Sequence, residues 1–402
     1  MSALDGIRVV DMTRALAGPY CTMMLGDLGA DVVKIERPGS GDESRGWGPP
    51  FVGDPQPPYP GESCYFIAVN RNKRSLTLNL KEQAGQKILR DLAKKSDVLV
   101  ENFRTGVLEK MGLGYKDFQA VNPKLVYCSI SGYGRTGPYA ERPGYDVIIQ
   151  AEGGMMGITG PVEGPPYRVG IPIVDITAGM FAATAILAAL RHRDLTGEGQ
   201  LVDVSLLDTQ LALLTNVASN HLVGGMGHQR LGNDHPNLAP YGVFQAKDKW
   251  FAMGAANQGQ WTKLCQILDK PELERDPRFT TNADRIENRA DLTGILSQVF
   301  AGRKADEWLD ALQDAGLPCG PINDIPGVFE HPQVADRDLV IEVDHPQAGP
   351  VKVTGFPYKL SNTPAEVRLP PPLLGQHTKE ILTNILGSGS QDIGDLQDRG
   401  VI

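Results

Sequence analysis

Residues 7–35 read IRVVDMTRALAGPYCTMMLGDLGADVVKI. Ile7 to Asp11 is a short apolar run of the kind that forms a buried strand. Gly18-Pro19 then opens a helix running through Leu28, with proline early, where its missing N–H is harmless. Gly29 closes that helix, and Asp31 to Ile35 is the next strand. Strand, helix and strand in direct succession predict parallel strands with a crossover helix.

The rhythm continues outward. Ser75 to Leu80 alternates apolar and polar residues, Lys81 to Lys95 reads as an amphipathic helix, and Val98 to Glu101 and Leu125 to Ile130 as strands. Ile176 to Arg193 is rich in helix formers and apolar nearly all round, which predicts a buried helix. Thr196-Gly-Glu-Gly199 is a turn; Gln200 to Leu206 follows as a strand and Leu207 to Leu222 as a helix. Gly224, Gly225 and Gly227 mark a flexible connection.

From Tyr241 the pattern changes. Tyr241–Gln245 and Trp250–Gly254 read as antiparallel strands, followed by helices over Gln258–Leu268, Arg285–Phe300 and Lys304–Ala315. Leu339–Val343 and Val351–Val353 are further strands, and Pro370–Pro372 leads to a final helix, Lys379–Leu386, and a short tail. The expected fold is α/β: a Rossmann-like large domain on a parallel sheet plus a smaller α+β domain. Residues 1–200 are expected to form the large domain, 201–224 a linker and 225–329 the small domain.

The 402 residues suffice for two to three domain-sized units. A net charge of −9 argues against nucleic acid or an anionic membrane as a partner, while leaving room for a local basic pocket. The five cysteines are widely spaced, without a CxxC pair, so neither a disulfide framework nor a zinc site is expected. His221, His228 and His235 recur every seven residues, but no carboxylate or cysteine pattern supports a metal reading. No signal peptide and no apolar span of 18 or more residues is read, so a cytoplasmic location is expected. No G-x-G-x-x-G or P-loop follows the first strand, which removes the usual dinucleotide and nucleotide signatures.

Four features could carry chemistry. Asp175, in Val-Gly-Ile-Pro-Ile-Val-Asp-Ile-Thr-Ala-Gly, is delivered by an extended stretch to the start of the long apolar helix. It reads either as an N-cap or as a carboxylate nucleophile, for which Gly170, Pro172 and Gly179 would leave room for substrate. Tyr145-Asp146 after Pro-Gly either starts a helix or supplies a second acid that orients Asp175 or manages protons. Arg37, Lys73, Arg74, Lys81, Arg104 and Lys110 are either solvated cations or a phosphate site at strand ends. Leu231-Gly-Asn-Asp-His-Pro-Asn is either a surface turn or a mobile cover.

Taken together, several segments resemble the class III CoA-transferase family, also called the formyl-CoA and carnitine CoA-transferase family. The carriers are Leu4–Thr13, Ala17-Gly-Pro19, Leu28–Gly39, Asn72-Lys-Arg-Ser75, Val100-Glu-Asn-Phe103, Ser131-Gly-Tyr-Gly134, Thr196–Gln200 and Leu373–Thr378. The resemblance places the nucleophile on Asp175 and counts the Tyr145–Asp146 turn among the CoA contacts; Tyr145 and Asp146 are also expected as further catalytic positions. It places CoA contacts on Leu16, Ala17, Arg37, Leu78, Asn79, Leu80, Lys81, Asn102, Phe103, Arg104 and Lys110. The family's mobile glycine-rich loop falls near Asn233, Asp234 and His235, which here lack a run of glycines.

Formyl-CoA transferases carry glutamine at the place of Leu16, which argues against oxalate and formate. Racemases of the superfamily carry histidine at the place of Tyr145, which favours transfer. The alternatives are a CoA-ester racemase or isomerase and a non-catalytic CoA-binding scaffold. Residues 45–51, 126–134 and 240–244 are similar to the succinyl-CoA–dicarboxylate branch, that of succinate–hydroxymethylglutarate CoA-transferase. An acceptor dicarboxylate then needs a cation for its distal carboxylate, and Arg45 and His235 are the candidates, with Asn233 and Asp234 beside the latter. The resemblance, and not the pattern itself, implies that about 330–402 complete the large domain. The resemblance also implies an interlocked homodimer, an acyl-CoA donor and a carboxylate acceptor. It implies CoA and its thioesters as substrates, no tightly bound cofactor and no metal.

Overall fold

The computed structural model describes every residue except Gln56 and His228. Contacts divide the chain into two units: residues 1–153, 170–214 and 333–402, and residues 154–169 and 215–332.

The first unit is built on β1 (Arg8–Asp11), β2 (Asp31–Glu36), β3 (Lys73–Thr77), β4 (Val98–Glu101), β5 (Val126–Ser131) and β6 (Leu201–Ser205). They form one sheet in the order β3-β2-β1-β4-β5-β6. Every neighbouring pair is parallel. Val9 lies opposite Val32 on one side and Val98 on the other. Successive side chains point to opposite faces of a strand, and both faces are covered. Val9, Val32, Val98, Val100, Val126 and Cys128 pack with Cys21 and Leu25 of α1 (Ala17–Asp27) and with Ala178, Ala182 and Ile186 of the long helix α4 (Ile173–Thr196). Val10, Val33, Leu99 and Tyr127 face the other way, onto Leu89 and Leu92 of α2 (Gln83–Ala93). Ile381, Leu382 and Ile393 of the chain's last segment join that second core. Near-continuous apolar strands are what a sheet buried on both faces requires.

Several sequence expectations change. Residues 201–224 are not a linker throughout, because Leu201–Ser205 is the edge strand β6 and Leu206–Leu213 (α5) is a helix of the first unit. The helix expected over 207–222 breaks at Leu214–Thr215, where Thr215 has φ +38°. The tail contains a helix, Ser390–Asp398, anchored by Ile393. Finally, α4 is long and apolar enough to cross a membrane by length and composition, with a mean hydropathy of 2.0 over its most apolar 18 residues, contrary to the expectation that no such span exists. One of its faces is packed on α1 and the sheet, as in a core helix, whereas Met180, Phe181, Leu187 and Leu195 are exposed.

In the second unit, β7 (Tyr241–Gln245), β8 (Trp250–Gly254) and β9 (Cys319–Pro321) form an antiparallel sheet in the order β9-β8-β7. Its core is aromatic: Phe300 meets Phe251 edge-on at 5.1 Å and Trp308 at 5.2 Å. The helix expected over 285–300 is two helices, Asn282–Glu287 and Arg289–Phe300. Buried Arg285 donates to Ala239 O at 2.7 Å and Phe279 O at 3.0 Å, which ties the first of these to the preceding loop.

Candidate active site

The sheet order reverses direction about β1. In open parallel sheets, ligands bind beyond the carboxyl ends of the strands at such a switch point. Here those ends carry Met12–Arg14 after β1, Arg37 after β2, Leu78–Lys81 after β3, Asn102–Arg104 after β4, and Ser131 at the end of β5 with Gly132 after it. They frame two cavities. The larger, about 890 Å³, is lined by Arg37, Leu78, Asn79, Leu80, Lys81 and Phe103, among others. The smaller, about 180 Å³, is lined by Leu16, Ala17, Asn102, Phe103, Arg104, Tyr145 and Asp175, among others. Arg14, Glu43 and Phe103 line both.

Asp175 is not the N-cap of α4. That position is Pro172, which has no capping side chain, and Asp175 sits in the first turn. The cap comes from α3 (Asp146–Glu152): Asp146 Oδ2 accepts from the backbone N–H of Val174 at 2.9 Å and of Asp175 at 3.4 Å. Gln150 Nε2 donates to Asp146 Oδ1 at 2.6 Å. The carboxylate of Asp175 has no hydrogen-bond partner among the described residues and faces the smaller cavity. Burial, and secondly the charge of Asp146, push its pKa up to about 7. The helix N-terminus favours the anion, but here burial prevails.

Gly179, one turn along α4, does not make room for substrate. A Cβ there would lie 2.5 Å from Ala17 O and 3.2 Å from Cys21 N, so the missing side chain lets α1 approach α4. That contact sets Leu16 and Ala17 at the rim of the cavity into which Asp175 faces.

The other expected residues divide. Lys110 is exposed on a short helix, Val107–Lys110, and lines neither cavity. Lys73 and Arg74 stand at the start of β3, the end away from the cavities. Buried Lys73 donates to Asp11 Oδ2 at 3.1 Å, Pro19 O at 2.9 Å and Asn70 Oδ1 at 2.9 Å, and burial pulls its pKa down to about 8. Arg74 pairs with Asp31 at 2.6 Å and Glu380 at 2.7 Å.

Arg45 cannot read a substrate carboxylate. It is 4% exposed, forks onto Glu36 with both bonds at 2.8 Å, donates to Pro372 O at 3.0 Å and lies 3.7 Å over the Phe66 ring. Its charge is therefore committed inside the fold. Asn233, Asp234 and His235 belong to the second unit. There Asp234 lies 3.8 Å from Arg289, and His235 Nδ1 accepts from Asn237 N–H at 3.0 Å. Among the described residues no three His, Cys, Asp or Glu side chains gather as metal ligands; His228 lies outside them.

Arg14, Arg142 and Glu43 are among the cavity residues not expected from the sequence. The available signal was position alone, since Arg14 lies three residues past the end of β1. Tyr65 was also missed. Burial, and secondly the charge of Asp175, push its hydroxyl up to about 12.

The site is a groove at the switch point of a parallel sheet, ending at a carboxylate held half-buried. The model for CoA-transferase family III matches residues 4–378. A human protein named succinyl-CoA:glutarate CoA-transferase is 44% identical over 399 residues, spanning 99% of this chain and 90% of its own. An acetyl-CoA:oxalate CoA-transferase from Acetobacter aceti is 42% identical over 358 residues, 89% of each chain. Among solved structures, a CAIB/BAIF family protein from Brucella suis superposes with a TM-score of 0.84 at 41% identity, covering 96% of this chain and 99% of that one. A family match across nearly the whole length, on a fold whose strand ends frame such a groove, makes this chain a CoA-transferase of family III.

Proposed function

We propose that the enzyme moves CoA from succinyl-CoA to a dicarboxylate of glutarate's kind through covalent intermediates on Asp175. The observation that carries this reading is the unpartnered Asp175 carboxylate facing the smaller cavity, its backbone fastened by Asp146. A carboxylate free of hydrogen bonds and half-desolvated is a stronger nucleophile than a solvated one.

An oxygen of Asp175 attacks the thioester carbonyl, and the CoA thiolate leaves, giving a mixed anhydride. The thiolate attacks Cγ of Asp175, releasing succinate and leaving an aspartyl-CoA thioester. The acceptor carboxylate attacks the same Cγ and expels the thiolate, forming a second anhydride. The thiolate then takes the acceptor's acyl carbon and frees Asp175. No proton is gained or lost overall. Throughout, CoA would lie along the groove, its nucleotide half in the larger cavity near Arg37 and Lys81 and its sulfur in the smaller.

The acceptor class rests on likeness to the human relative. Two copies pair, in this reading, through the apolar face of α4, since exposed Met180, Phe181 and Leu195 form the kind of surface that marks an interface. His235, whose Nδ1 is occupied, keeps Nε2 for a distal carboxylate supplied to the small unit of a second copy.

The test is a mass-spectrometric panel of succinyl-CoA against monocarboxylates and dicarboxylates, oxalate and glutarate included. The expected result is CoA transfer fastest to glutarate-length diacids, with a CoA adduct on the Asp175 peptide. Preference for monocarboxylates or oxalate would reject the acceptor class. Absence of any adduct under single turnover would reject the covalent route.

A further inference from the structure

We propose that Arg14 is a CoA-binding cation and that Asn102 is the positioning residue that presents it; this rests on the groove being the CoA site. The main chain of Thr13–Ala15 is gripped from three directions. Asn102 Oδ1 accepts from Arg14 N–H at 2.9 Å, and Asn102 Nδ2 donates to Arg14 O at 2.8 Å. Lys34 Nζ donates to Thr13 O at 2.9 Å. Asp42 Oδ1 accepts from Ala15 N–H at 3.1 Å. Lys34 and Asp42 are buried and paired with each other at 2.8 Å. The grip holds Ala15 at φ +67°, a region that residues with a side chain seldom occupy.

What this clamp leaves free is the Arg14 side chain. It is exposed, forms no ion pair among the described residues and lies 5.0 Å over the Phe103 ring. It lines both cavities, so it stands where the two halves of an extended CoA would join. That joint in CoA is the pyrophosphate, which a guanidinium recognises with paired N–H donors. Glu43, exposed at the same joint, has the opposite sign, so removal of Arg14 would leave the joint acidic. Asn102, by contrast, spends its amide oxygen and nitrogen on the Arg14 backbone. Its contribution to CoA affinity therefore runs through Arg14.

Calorimetric titration of the full chain with CoA tests this. Arg14→Ala is expected to weaken CoA binding at least tenfold, and Asn102→Ala severalfold. The double variant should bind no more weakly than Arg14→Ala alone. Asn102→Asp keeps the acceptor, loses the donor and should fall between wild type and Asn102→Ala. Losses that add in the double variant would make Asn102 a ligand in its own right and overturn the positioning role. Unchanged affinity in Arg14→Ala, with a loss in Arg37→Ala, would overturn the assignment of Arg14 while keeping the groove. Unchanged affinity in all of these variants would overturn the groove itself. Melting temperatures of each variant separate a lost clamp from lost folding, since Arg14→Ala removes only an exposed side chain.

Discussion

Asp146 Oδ2 accepts a hydrogen bond from the backbone N–H of Asp175 at 3.4 Å, so one acid of the site is fastened to the main chain of the other. The second acid therefore does two things. It caps α4, and its charge helps to keep the Asp175 carboxyl near a pKa of about 7, in second place after burial.

The pH dependence of activity follows. As the proposed nucleophile, Asp175 must be ionised to attack, so kcat/KM should rise through about pH 7 and then level off. Asp146→Asn removes the neighbouring charge but not the burial, so the rising limb should move to lower pH. Asp146→Ala should shift it likewise and also cost about 1 kcal/mol through the lost cap. An unmoved limb in Asp146→Asn would show that burial alone sets the ionisation of Asp175.

Asp175→Asn should lose more than a hundredfold in turnover, about 2.7 kcal/mol or more, because an amide is a poor nucleophile. It should also stabilise the fold at high pH. The folded-state pKa of about 7 lies above the ordinary 3.8, so the native protein holds this proton more tightly than the unfolded chain. The stability linked to that proton is complete below the ordinary value and is lost as pH rises to about 7. The variant does not titrate there, so its melting temperature relative to wild type should climb between pH 4 and pH 8. A constant difference across that range contradicts the raised pKa.

Arg37→Ala should raise KM for every CoA ester alike, by about 1.5–3 kcal/mol for a lost charge-assisted contact. Arg37 is exposed just after β2 and lines the larger cavity, whereas Asp175 lines the smaller one. Initial rates with two donors of different acyl group check this, and an effect confined to one donor removes Arg37 from the nucleotide site.

The strand-helix alternation of the first unit was legible because parallel strands are buried on both faces and so read as plain apolar runs. The start of β3 was not. Lys73 and Arg74 look like surface cations, yet both are neutralised by carboxylates from other strands, which local sequence does not reveal. Arg45 misled for the same reason, since its partner Glu36 lies across a loop and its third acceptor, Pro372 O, is hundreds of residues away. Asp175 stood out through its place before an apolar helix, but the true cap, Asp146, comes from another helix.

Arg45→Ala should act on folding and not on substrate choice. Removing the guanidinium strands Glu36 in the interior, a loss of about 3–5 kcal/mol for a broken buried pair. Denaturant unfolding should show that loss, with residual activity reduced equally for monocarboxylate and dicarboxylate acceptors. A selective loss with dicarboxylates, at unchanged stability, would restore Arg45 to the acceptor site.

Gly170 and Gly179 flank Asp175 in sequence and look alike there, but the structure separates them. A Cβ at Gly170 meets nothing within 4 Å, whereas one at Gly179 lies 2.5 Å from the carbonyl oxygen of Ala17. Neither helix backbone can yield by bond rotation, so Gly179→Ala must push α1 and α4 apart. Overpacking of this kind costs about 1–3 kcal/mol. The displacement also moves Leu16 and Ala17 relative to Asp175, across the smaller cavity. Gly179→Ala should therefore lower kcat more than the stability loss alone explains, measured well below its melting temperature. Gly170→Ala should leave both kcat and melting temperature close to wild type. Equal behaviour of the two variants would mean that the α1–α4 approach does not set the geometry at Asp175.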